Sequence, residues 1–297
     1  MNQQGTTRMR LGWLGLGSMG SPMTGVALAS GFDISGFDVS EAARDAFAAA
    51  GGRASVSPAE AASGADALVL MVATPAQGEA ALFGDDGAGS ALRDGAIVVV
   101  MATVGDAAIR DWEQRLAPSG VRVVDAPVSG GTARAASGEL LAMVSGTAAD
   151  LEVVRPLLDV LASSVAIVGD HAGDGQRMKL VNQLLCGAHI AVAAEALSFA
   201  EALGLDARGA WEIVRRGAAA SFMLDDRGER MLQSEPPVRS AVDIFVKDME
   251  LVVSAAQEAG HSPLLAQTAL DVYRRASEAG LGRSDDSSII RTYRARH

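Results

Sequence analysis

The 297-residue sequence has a single cysteine, few aromatic side chains and fewer basic than acidic residues. One cysteine, Cys186, cannot form an intramolecular disulfide, so a disulfide framework is excluded and a reducing compartment is expected. We expect Cys186 to fill a buried position on a helix rather than to act as a reactive thiol. Because aromatic residues make up only 4 % of a chain that is 49 % hydrophobic, the cores should be built mainly from aliphatic side chains.

The shortage of basic residues gives a net charge of −11, which argues against nucleic-acid or anionic-membrane partners. The segment Met1–Arg10 is polar and lacks the apolar run of a secretory signal, so we expect a tail and a cytoplasmic protein. The most apolar long segment, Leu180–Leu205, is interrupted by two amides, a histidine and two glutamates. It is therefore interpreted as a buried helix of a globular protein rather than a membrane span.

The most informative stretch is Arg10–Ser40, where a short apolar run leads directly into a glycine-rich turn. Helix-compatible residues and a second apolar run follow, which predicts a strand, tight turn, helix and strand. In such a unit Gly15 permits the sharp turn, Gly17 lets the backbone approach a pyrophosphate, and Gly20 lets helix and strand pack closely. The loop from Gly15 through Leu16, Gly17, Ser18 and Met19 to Gly20 is thus the predicted dinucleotide-binding loop.

The cofactor choice is predicted from Asp38, which follows the second apolar run 21 residues after Gly17. A carboxylate there can accept hydrogen bonds from both hydroxyls of the adenosine ribose and repels a 2′-phosphate. The sequence therefore predicts NAD rather than NADP. A purely structural glycine turn is the alternative.

Alternating strands and helices continue to about residue 170, which predicts an α/β domain with a parallel sheet. Two continuous apolar runs, Ala67–Ala73 and Ala96–Ala102, are typical of strands buried on both faces. Ligands of open α/β sheets bind beyond the carboxyl ends of such strands, so Val72 and Thr103 are candidate cofactor contacts. Thr103 could instead cap the next helix. The other predicted elements are helices at 41–50, 58–63, 106–116 and 148–161, an extended piece at 54–56, and strands at 121–125, 140–145 and 165–168.

A second glycine-rich segment begins at Asp125, directly after a predicted strand. Pro127 stops that strand, and Ser129, Gly130 and Gly131 can offer a hydroxyl and convergent backbone N–H groups to an anion. We interpret this segment as a cradle for a substrate carboxylate. A glycine loop that serves only turn geometry is the alternative.

From Gly173 onward the pattern is helical, starting with an apolar stretch of some thirty residues to about Leu203. Further helices are predicted at 207–217, 222–232, 243–258 and 264–278. We divide the chain into a cofactor-binding domain over residues 1–170 and an all-α domain for substrate binding and dimerisation over residues 171–297. No His, Cys and Asp cluster has the spacing of metal ligands, so a metal-free site is expected.

Lys179 lies near the start of the long helix with Asn182 three residues and Gln183 four residues further on. An amine among apolar neighbours, with amides on the same helix face, could orient a substrate hydroxyl and exchange its proton. A solvated surface lysine is the alternative. His189, ten residues after Lys179, is interpreted as a core or interface histidine rather than an acid–base partner.

Four segments together resemble the signature regions of the β-hydroxyacid dehydrogenase family, which includes 3-hydroxyisobutyrate dehydrogenase and tartronate semialdehyde reductase. They are Gly15–Met23, Asp125–Gly131, Gly173–Gln183 and Phe245–Asp248, and they occur in the order of the family. The resemblance implies an N-terminal Rossmann domain, a long interdomain helix and an all-α C-terminal domain that forms a homodimer or homotetramer.

The resemblance also implies roles for individual residues. Ser129, Gly130 and Gly131 would bind the substrate carboxylate, Lys179 would be the general acid–base, and Thr103 and Lys247 would lie near the cofactor. Asn182 and Gln183 would orient the substrate, a small hydroxy acid.

One departure from the family pattern concerns Gln183, since the family usually has asparagine four residues after the lysine. The longer amide, the segment Ser240–Asp248, and Asp285 with Asp286 make the chain look most like the L-threonate dehydrogenase branch. Asp285 and Asp286 could cap a terminal helix or reach a neighbouring subunit. Alternatives are 3-hydroxyisobutyrate oxidation, reduction of tartronate semialdehyde or of an imine, and a non-catalytic NAD-binding sensor.

Overall fold

The structure, a computed structural model, describes residues 9–294. Its internal contacts divide the chain into an N-terminal unit that ends at Lys179 and a C-terminal unit that begins at Leu180. The predicted N-terminal tail lies outside the described residues except for Met9 and Arg10. Arg10 already belongs to the first strand, so the predicted tail is too long by that residue.

The N-terminal unit contains one nine-stranded sheet. Its strands are β1 Arg10–Leu14, β2 Asp33–Phe37, β3 Arg53–Ala54, β4 Ala67–Leu70, β5 Ile97–Val100, β6 Arg122–Asp125, β7 Val128–Ser129, β8 Leu140–Ser145 and β9 Ala162–Gly169. Six parallel strands lie in the order β3-β2-β1-β4-β5-β6, the order of a dinucleotide-binding fold. Beyond them β8 runs antiparallel to β6 and β7 and parallel to β9. The predicted Rossmann fold is confirmed.

Helices cover the sheet of this unit: α1 Gly20–Ala29, α2 Glu41–Ala49, α3 Pro58–Ala62, α4 Pro75–Phe83, α5 Asp106–Leu116, α6 Gly131–Ser137 and α7 Ala148–Leu161. The central strands β4 and β5 are buried at every position because helices pack on both faces. Alternate side chains enter two separate cores, Val69 and Val99 on one side and Leu68 and Val98 on the other.

Two helices of this unit were not predicted. Helix α4 begins after Thr74, whose side chain accepts a hydrogen bond from the Gln77 N–H while the Gln77 side chain bonds back, so that both form a capping box. The other, α6, starts within the glycine segment that was expected to be a loop. The predicted strands 67–73 and 96–102 are too long, because β4 and β5 end at Leu70 and Val100.

The C-terminal unit is helical. Helix α8, Asp174–Ala202, starts in the N-terminal unit and continues into this one, and it is followed by α9 Ala207–Val214, α10 Phe222–Met231, α11 Val242–Glu258, α12 Leu264–Ala276 and α13 Arg291–Arg294. At the centre, the rings of Phe245 and Tyr273 stack with centroids 5.3 Å apart. The fully buried Tyr273 hydroxyl donates to the Gly187 carbonyl at 3.1 Å, so this phenol has a hydrogen-bond partner in the core.

Helix α8 is long and apolar enough to cross a membrane by length and composition alone. Its buried face packs into the helical core through Ile190, Ala194 and Leu197. Core helices of globular proteins commonly meet the same criteria, and α8 also carries buried polar side chains such as Gln176 and Gln183. We therefore interpret α8 as a core helix of a globular protein, as predicted from the sequence.

The two acids near the C-terminus belong to a buried ionic cluster within the C-terminal unit. Asp286 lies 3.0 Å from the Arg227 guanidinium, and Asp285 lies 3.0 Å from that of Arg230. Asp226 completes the cluster by pairing with both arginines. Asp285 also caps the short 3₁₀ turn over 286–290 by accepting from the Ser287 N–H. Both acids are therefore structural within this unit, and Asp285 has the predicted capping role.

The pKa values of the two acids move in opposite directions. Burial would raise the pKa of Asp285, but hydrogen bonds from Ser287, from the Arg239 N–H and from Arg230 outweigh burial and lower it. For Asp286 burial dominates over the Arg227 guanidinium and raises the pKa. Because no solvent reaches Asp286, its carboxylate is stabilised in the core by the Arg227 guanidinium.

Replacement of Asp286 by asparagine should destabilise the protein by about 3 kcal/mol, because the buried Arg227 guanidinium loses the fully buried one of its two carboxylate partners. Asp159→Asn is the matched control, since Asp159 pairs with Arg155 one turn away on the exposed face of α7 and should cost at most about 0.5 kcal/mol. Urea unfolding at neutral pH, followed by circular dichroism, measures both. Equal losses would contradict the structural role of the cluster.

Candidate active site

The glycine-rich turn after β1 has the geometry that a dinucleotide loop needs. Gly15 has φ +97°, and a Cβ there would lie 2.2 Å from the Met71 carbonyl oxygen. A Cβ on Gly20 would lie 1.9 Å from the Gly15 oxygen, whereas one on Gly17 would meet nothing within 4 Å. Gly15 and Gly20 are thus required by packing, and Gly17 faces open space where a phosphate can approach the backbone. The residues present fit a bound dinucleotide.

Trp13 packs beneath the glycine loop in the core and holds it by a hydrogen bond. The sequence did not point to this residue as part of the site. Its indole is fully buried, and its Nε1–H donates to the Gly15 carbonyl at 3.2 Å. The other loop residues differ in exposure: Leu16 packs into the core, Met19 is half-buried and Ser18 is exposed. Ser18 and Met19 therefore remain predicted backbone contacts to the cofactor.

Asp38 lies directly after β2, beside the glycine loop. One of its carboxylate oxygens accepts from the Leu16 N–H at 2.8 Å and the other from the Ser40 N–H at 2.8 Å. These hydrogen bonds connect Asp38 to the glycine loop. The carboxylate is half-exposed at the position where a ribose is expected. Its role in choosing NAD remains a prediction.

Val72 and Thr103 follow the adjacent strands β4 and β5, at the same edge of the sheet. Val72 is next to the glycine loop, since its nitrogen would be 3.3 Å from a Cβ on Gly15. The N-cap of α5 is Gly105, so the alternative that Thr103 caps this helix is wrong. Both residues are half-buried at the ligand-binding edge of the fold.

The segment that was expected to hold a carboxylate leaves β6 at Asp125 and forms the short strand β7. Ser129 pairs with Leu141 of β8 and is half-buried. Gly130 and Gly131 have φ +141° and +72°, conformations that side chains rarely adopt. The aliphatic stem of Arg134 packs against Gly130. This arginine, which the sequence did not point to, therefore lies close to the loop.

The start of α8 is held against the carboxyl edge of the sheet. Asp125 accepts from the Gly173 N–H at 3.2 Å and from the Gln176 N–H at 2.8 Å, and Ser145 Oγ accepts from the Gly175 N–H at 3.0 Å. A Cβ on Gly175 would lie 2.9 Å from the Asp125 carboxylate, so only glycine permits this approach. Burial, the largest effect, raises the pKa of Asp125 to about 6 although hydrogen bonds from Gln176 and Gly173 lower it.

Lys179 lies one turn beyond this anchored start and is only 6 % exposed. The prediction that it is more than a solvated surface lysine is consistent with this burial. The sequence contains only one other lysine, Lys247, and all other basic side chains apart from histidine are arginines. Arginine cannot lose its proton near neutral pH, so these two residues are the chain's only side-chain amines able to act as bases.

The amides that follow Lys179 form a second cluster, within the C-terminal unit. Gln183 is buried, its Nε2 donates to the Asp248 carboxylate, and its Oε1 accepts from Asn182 Nδ2 at 2.9 Å. Lys247 Nζ lies 2.7 Å from the other Asp248 oxygen. Asp248, which had no assigned role in the sequence analysis, therefore links Gln183 to Lys247.

Two further expectations concern Cys186 and His189. Cys186 is half-buried rather than fully buried, and its sulfur accepts a hydrogen bond from Asn182 at 3.3 Å. Cys186 therefore packs against the core only in part, and it also takes part in a hydrogen bond. His189 is half-buried on α8, ten residues after Lys179.

Among residues 9–294, one group of acids and a histidine could reach a common metal ion, namely Asp170, His171 and Asp174, whose ligand atoms lie within 4.8 Å of one another. Sequence spacing had not indicated this group. Asp170 and His171 are exposed, and Asp174 is paired with Arg177 at 2.9 Å. Exposed acids often gather in this way without a metal, and we assign no site to them.

Two family models match the chain. Residues 10–169 match the model described as the NAD-binding domain of 6-phosphogluconate dehydrogenase. Residues 173–293 match the model described as NAD-binding of NADP-dependent 3-hydroxyisobutyrate dehydrogenase.

Similar proteins cover nearly the whole chain. L-Threonate dehydrogenase of Cupriavidus necator is 38 % identical over 95 % of this chain and 95 % of its own length. NAD-dependent L-serine dehydrogenase of Pseudomonas aeruginosa is 31 % identical over 96 % of this chain and 97 % of its own. A crystal structure of 3-hydroxyisobutyrate dehydrogenase from Salmonella typhimurium has a TM-score of 0.90 at 37 % identity, with 96 % of this chain and 99 % of that chain covered.

With matching models for both halves and full-length relatives above 30 % identity, the chain belongs to the 3-hydroxyisobutyrate dehydrogenase family, the NAD(P)-dependent β-hydroxyacid dehydrogenases that act on CH–OH groups.

Proposed function

We propose that this enzyme oxidises L-threonate or a closely related polyhydroxy acid, with NAD⁺ rather than NADP⁺ as the hydride acceptor. The observation that carries the proposal is Lys179, a buried lysine in a chain with only two, set one turn after the anchored start of α8. Several relatives named L-threonate dehydrogenase, at 36 to 38 % identity, support the choice of substrate.

The proposed roles follow from the chemistry of each side chain. NAD⁺, when bound, supplies the hydride acceptor. Lys179, as the neutral amine, removes the hydroxyl proton of the substrate. The Ser129 hydroxyl and the backbone N–H groups of Gly130 and Gly131 hold the substrate carboxylate. Lys247 is the further cofactor contact that the family resemblance implies.

Gln183 is the proposed specificity residue. A carboxylate only accepts hydrogen bonds, so Asp248 forces Nε2 of Gln183 to face it and fixes which end of the amide points where. One further hydrogen on Nε2 and one further lone pair on Oε1 are left after the bonds to Asp248 and Asn182. A fixed donor and acceptor of this kind suit a substrate that carries additional hydroxyl groups.

The cofactor preference is proposed from Asp38, because one of the matching family models is described as NADP-dependent and the family therefore includes both choices. The Asp38 carboxylate is held in place by the N–H groups of Leu16 and Ser40. A fixed negative charge would repel a 2′-phosphate on the ribose, while a ribose hydroxyl can donate to the same oxygens.

We also propose that the enzyme is cytoplasmic and forms a homodimer or homotetramer. Along α8 a row of apolar side chains at helical spacing is exposed in the single chain: Val181, Leu185, Val192 and Phe199 are 50 to 61 % exposed. Large apolar rows of this kind are usually covered, and a second copy of the chain would cover this one.

The substrate proposal is tested first by NADH formation at 340 nm with L-threonate, D-erythronate, 3-hydroxyisobutyrate, D-glycerate and L-serine. We expect L-threonate to give the highest kcat/KM, by about tenfold or more over acids that lack the extra hydroxyls, since each missing hydroxyl leaves a polar group unpaired. The same series with NADP⁺ tests Asp38, and turnover should be weaker. Preference for 3-hydroxyisobutyrate would discard the threonate proposal, and equal use of NADP⁺ would discard the role of Asp38.

The variant Lys179→Ala should bind NADH like the wild type but lose kcat by about 100- to 10,000-fold, because it lacks the proton acceptor. Arg155→Ala is the control, since it removes an exposed cation from α7 in the same unit and should leave kcat unchanged. Stopped-flow absorbance measures turnover, and NADH fluorescence measures binding. Turnover of Lys179→Ala near the wild-type rate would rule out the assigned role, and a non-catalytic sensor would show no turnover in either protein.

The proposed dimer is tested by light scattering after size-exclusion chromatography. The wild type should elute as a dimer or larger, and Phe199→Glu should shift it toward the monomer because a charge enters the apolar row on α8. Val56→Glu is the control, since Val56 is 82 % exposed in the N-terminal unit. A monomeric wild type, or dissociation by Val56→Glu alone, would contradict this interface.

A further inference from the structure

Gln176 has a buried side-chain amide with all four of its hydrogen-bonding positions in use. Its Oε1 accepts from the Val104 N–H at 2.9 Å and the Gly105 N–H at 3.0 Å. Its Nε2 donates to the Ala102 carbonyl at 3.0 Å and to an Asp125 carboxylate oxygen at 2.8 Å. No surface of the side chain reaches solvent. A side chain so fully engaged in the core holds its neighbours in one arrangement.

These four bonds reach two loops that end adjacent strands. Ala102, Val104 and Gly105 surround Thr103, which is a candidate cofactor contact. Asp125 ends β6 and begins the segment that leads to the carboxylate cradle at Ser129. Gln176 itself belongs to the first turn of α8. A single amide therefore connects the cofactor edge, the cradle segment and the helix that carries Lys179.

Lys179 is three residues beyond Gln176, a rise of about 4.5 Å along the helix. The backbone N–H of Gln176 also donates to Asp125, so both the side chain and the main chain of this turn are fixed. Any displacement of the first turn is passed to Lys179, because an α-helix is rigid over so short a distance. Reactions are sensitive to such shifts, since a misplacement of about 1 Å can cost about 100-fold in rate.

We infer that Gln176 is a positioning residue, a buried amide that sets Lys179 against the loops of Thr103 and Ser129 for proton transfer. This inference rests on the proposed role of Lys179. Glutamine is the side chain that fits: asparagine is shorter by one methylene, methionine has no donor, and an ionised glutamate would face the Asp125 carboxylate and the Ala102 carbonyl.

The principal test uses Gln176→Met, which keeps the side-chain length and removes every side-chain hydrogen bond. We expect kcat to fall by about 100-fold while the NADH dissociation constant stays within about threefold of the wild type. Because the chain has two lysines, labelling lysine Cε with ¹³C gives one signal from Lys179 and one from Lys247. The Lys179 signal should move in the variant, and the Lys247 signal should serve as the unchanged internal reference.

Asp150→Asn is the matched structural control. Asp150 is also a buried, hydrogen-bonded side chain of the N-terminal unit, but it pairs with Arg122 and Thr147, and Arg122 begins β6 at the opposite end of that strand from Asp125. It should lower thermal stability without lowering kcat. If Asp150→Asn and Gln176→Met lose kcat equally, or if Gln176→Met loses NADH binding in step with kcat, the effect is general disruption and the inference is overturned.

A second variant, Gln176→Glu, tests the positioning role of Gln176 if Gln176→Met does not fold. Two buried carboxyls side by side retain a shared proton, and while they do the introduced group can donate to Asp125 as the amide did. Two charges of α8 lie near this position, Asp174 and, on the next turn, Lys179. Asp174 is paired with Arg177, and Arg177 also pairs with Asp106. Loss of that proton makes the two carboxylates repel and displaces the helix turn.

The expected signature of Gln176→Glu is therefore a new alkaline limb. Its kcat relative to the wild type should fall by about tenfold or more as the pH rises from about 6.5 to about 9, with NADH binding retained. A ratio that is constant with pH would overturn the inference, as would a Gln176→Met enzyme with kcat within about threefold of the wild type. Failure of the proposed function is distinguishable, because then Lys179→Ala itself would turn over normally.

Discussion

The hydrogen bonds between Gln176, Asp125 and the backbone of residues 102–105 are the constraint on which the position of the start of α8 depends. The carboxyl ends of β5 and β6 lie side by side, and nothing in a parallel sheet alone fixes a helix start against them. A buried amide with four satisfied partners does so, because leaving any partner unpaired in the core would cost free energy. Glycine at 175 contributes by allowing the helix backbone to approach Asp125.

The same chemistry recurs in the C-terminal unit, where the carboxylate of Asp248 fixes the amide of Gln183. In both places a buried carboxylate that can only accept hydrogen bonds determines which end of an amide faces it. The amide then presents a defined donor and acceptor to its other neighbours. For Gln176 those neighbours are backbone groups, and for Gln183 they include Asn182.

Charge is distributed according to the demands on each cation. Arginine takes the structural positions, as in the buried cluster of Arg227 and Arg230 with Asp285 and Asp286, where a permanent charge and several donors are needed. Lysine occurs only at positions 179 and 247, and a side chain that can release a proton is what the role proposed for Lys179 requires. The exposed ion pairs elsewhere, such as Arg155 with Asp159, contribute little to stability.

The sequence by itself determined the Rossmann fold, most element positions, the glycine loop and the family, since turn glycines, apolar periodicity and the order of motifs can be found along the chain without knowledge of its contacts. The role of Lys179 stays a prediction. Helix α4 could also have been found, because its Thr74–Gln77 capping box is a local signal. Only the tertiary structure revealed the partners of Gln176, Gln183 and Asp286, which are 51 to 74, 65 and 59 residues away along the chain. Hydrogen bonds of that range depend on which strand and helix ends meet in space, and no local pattern encodes them.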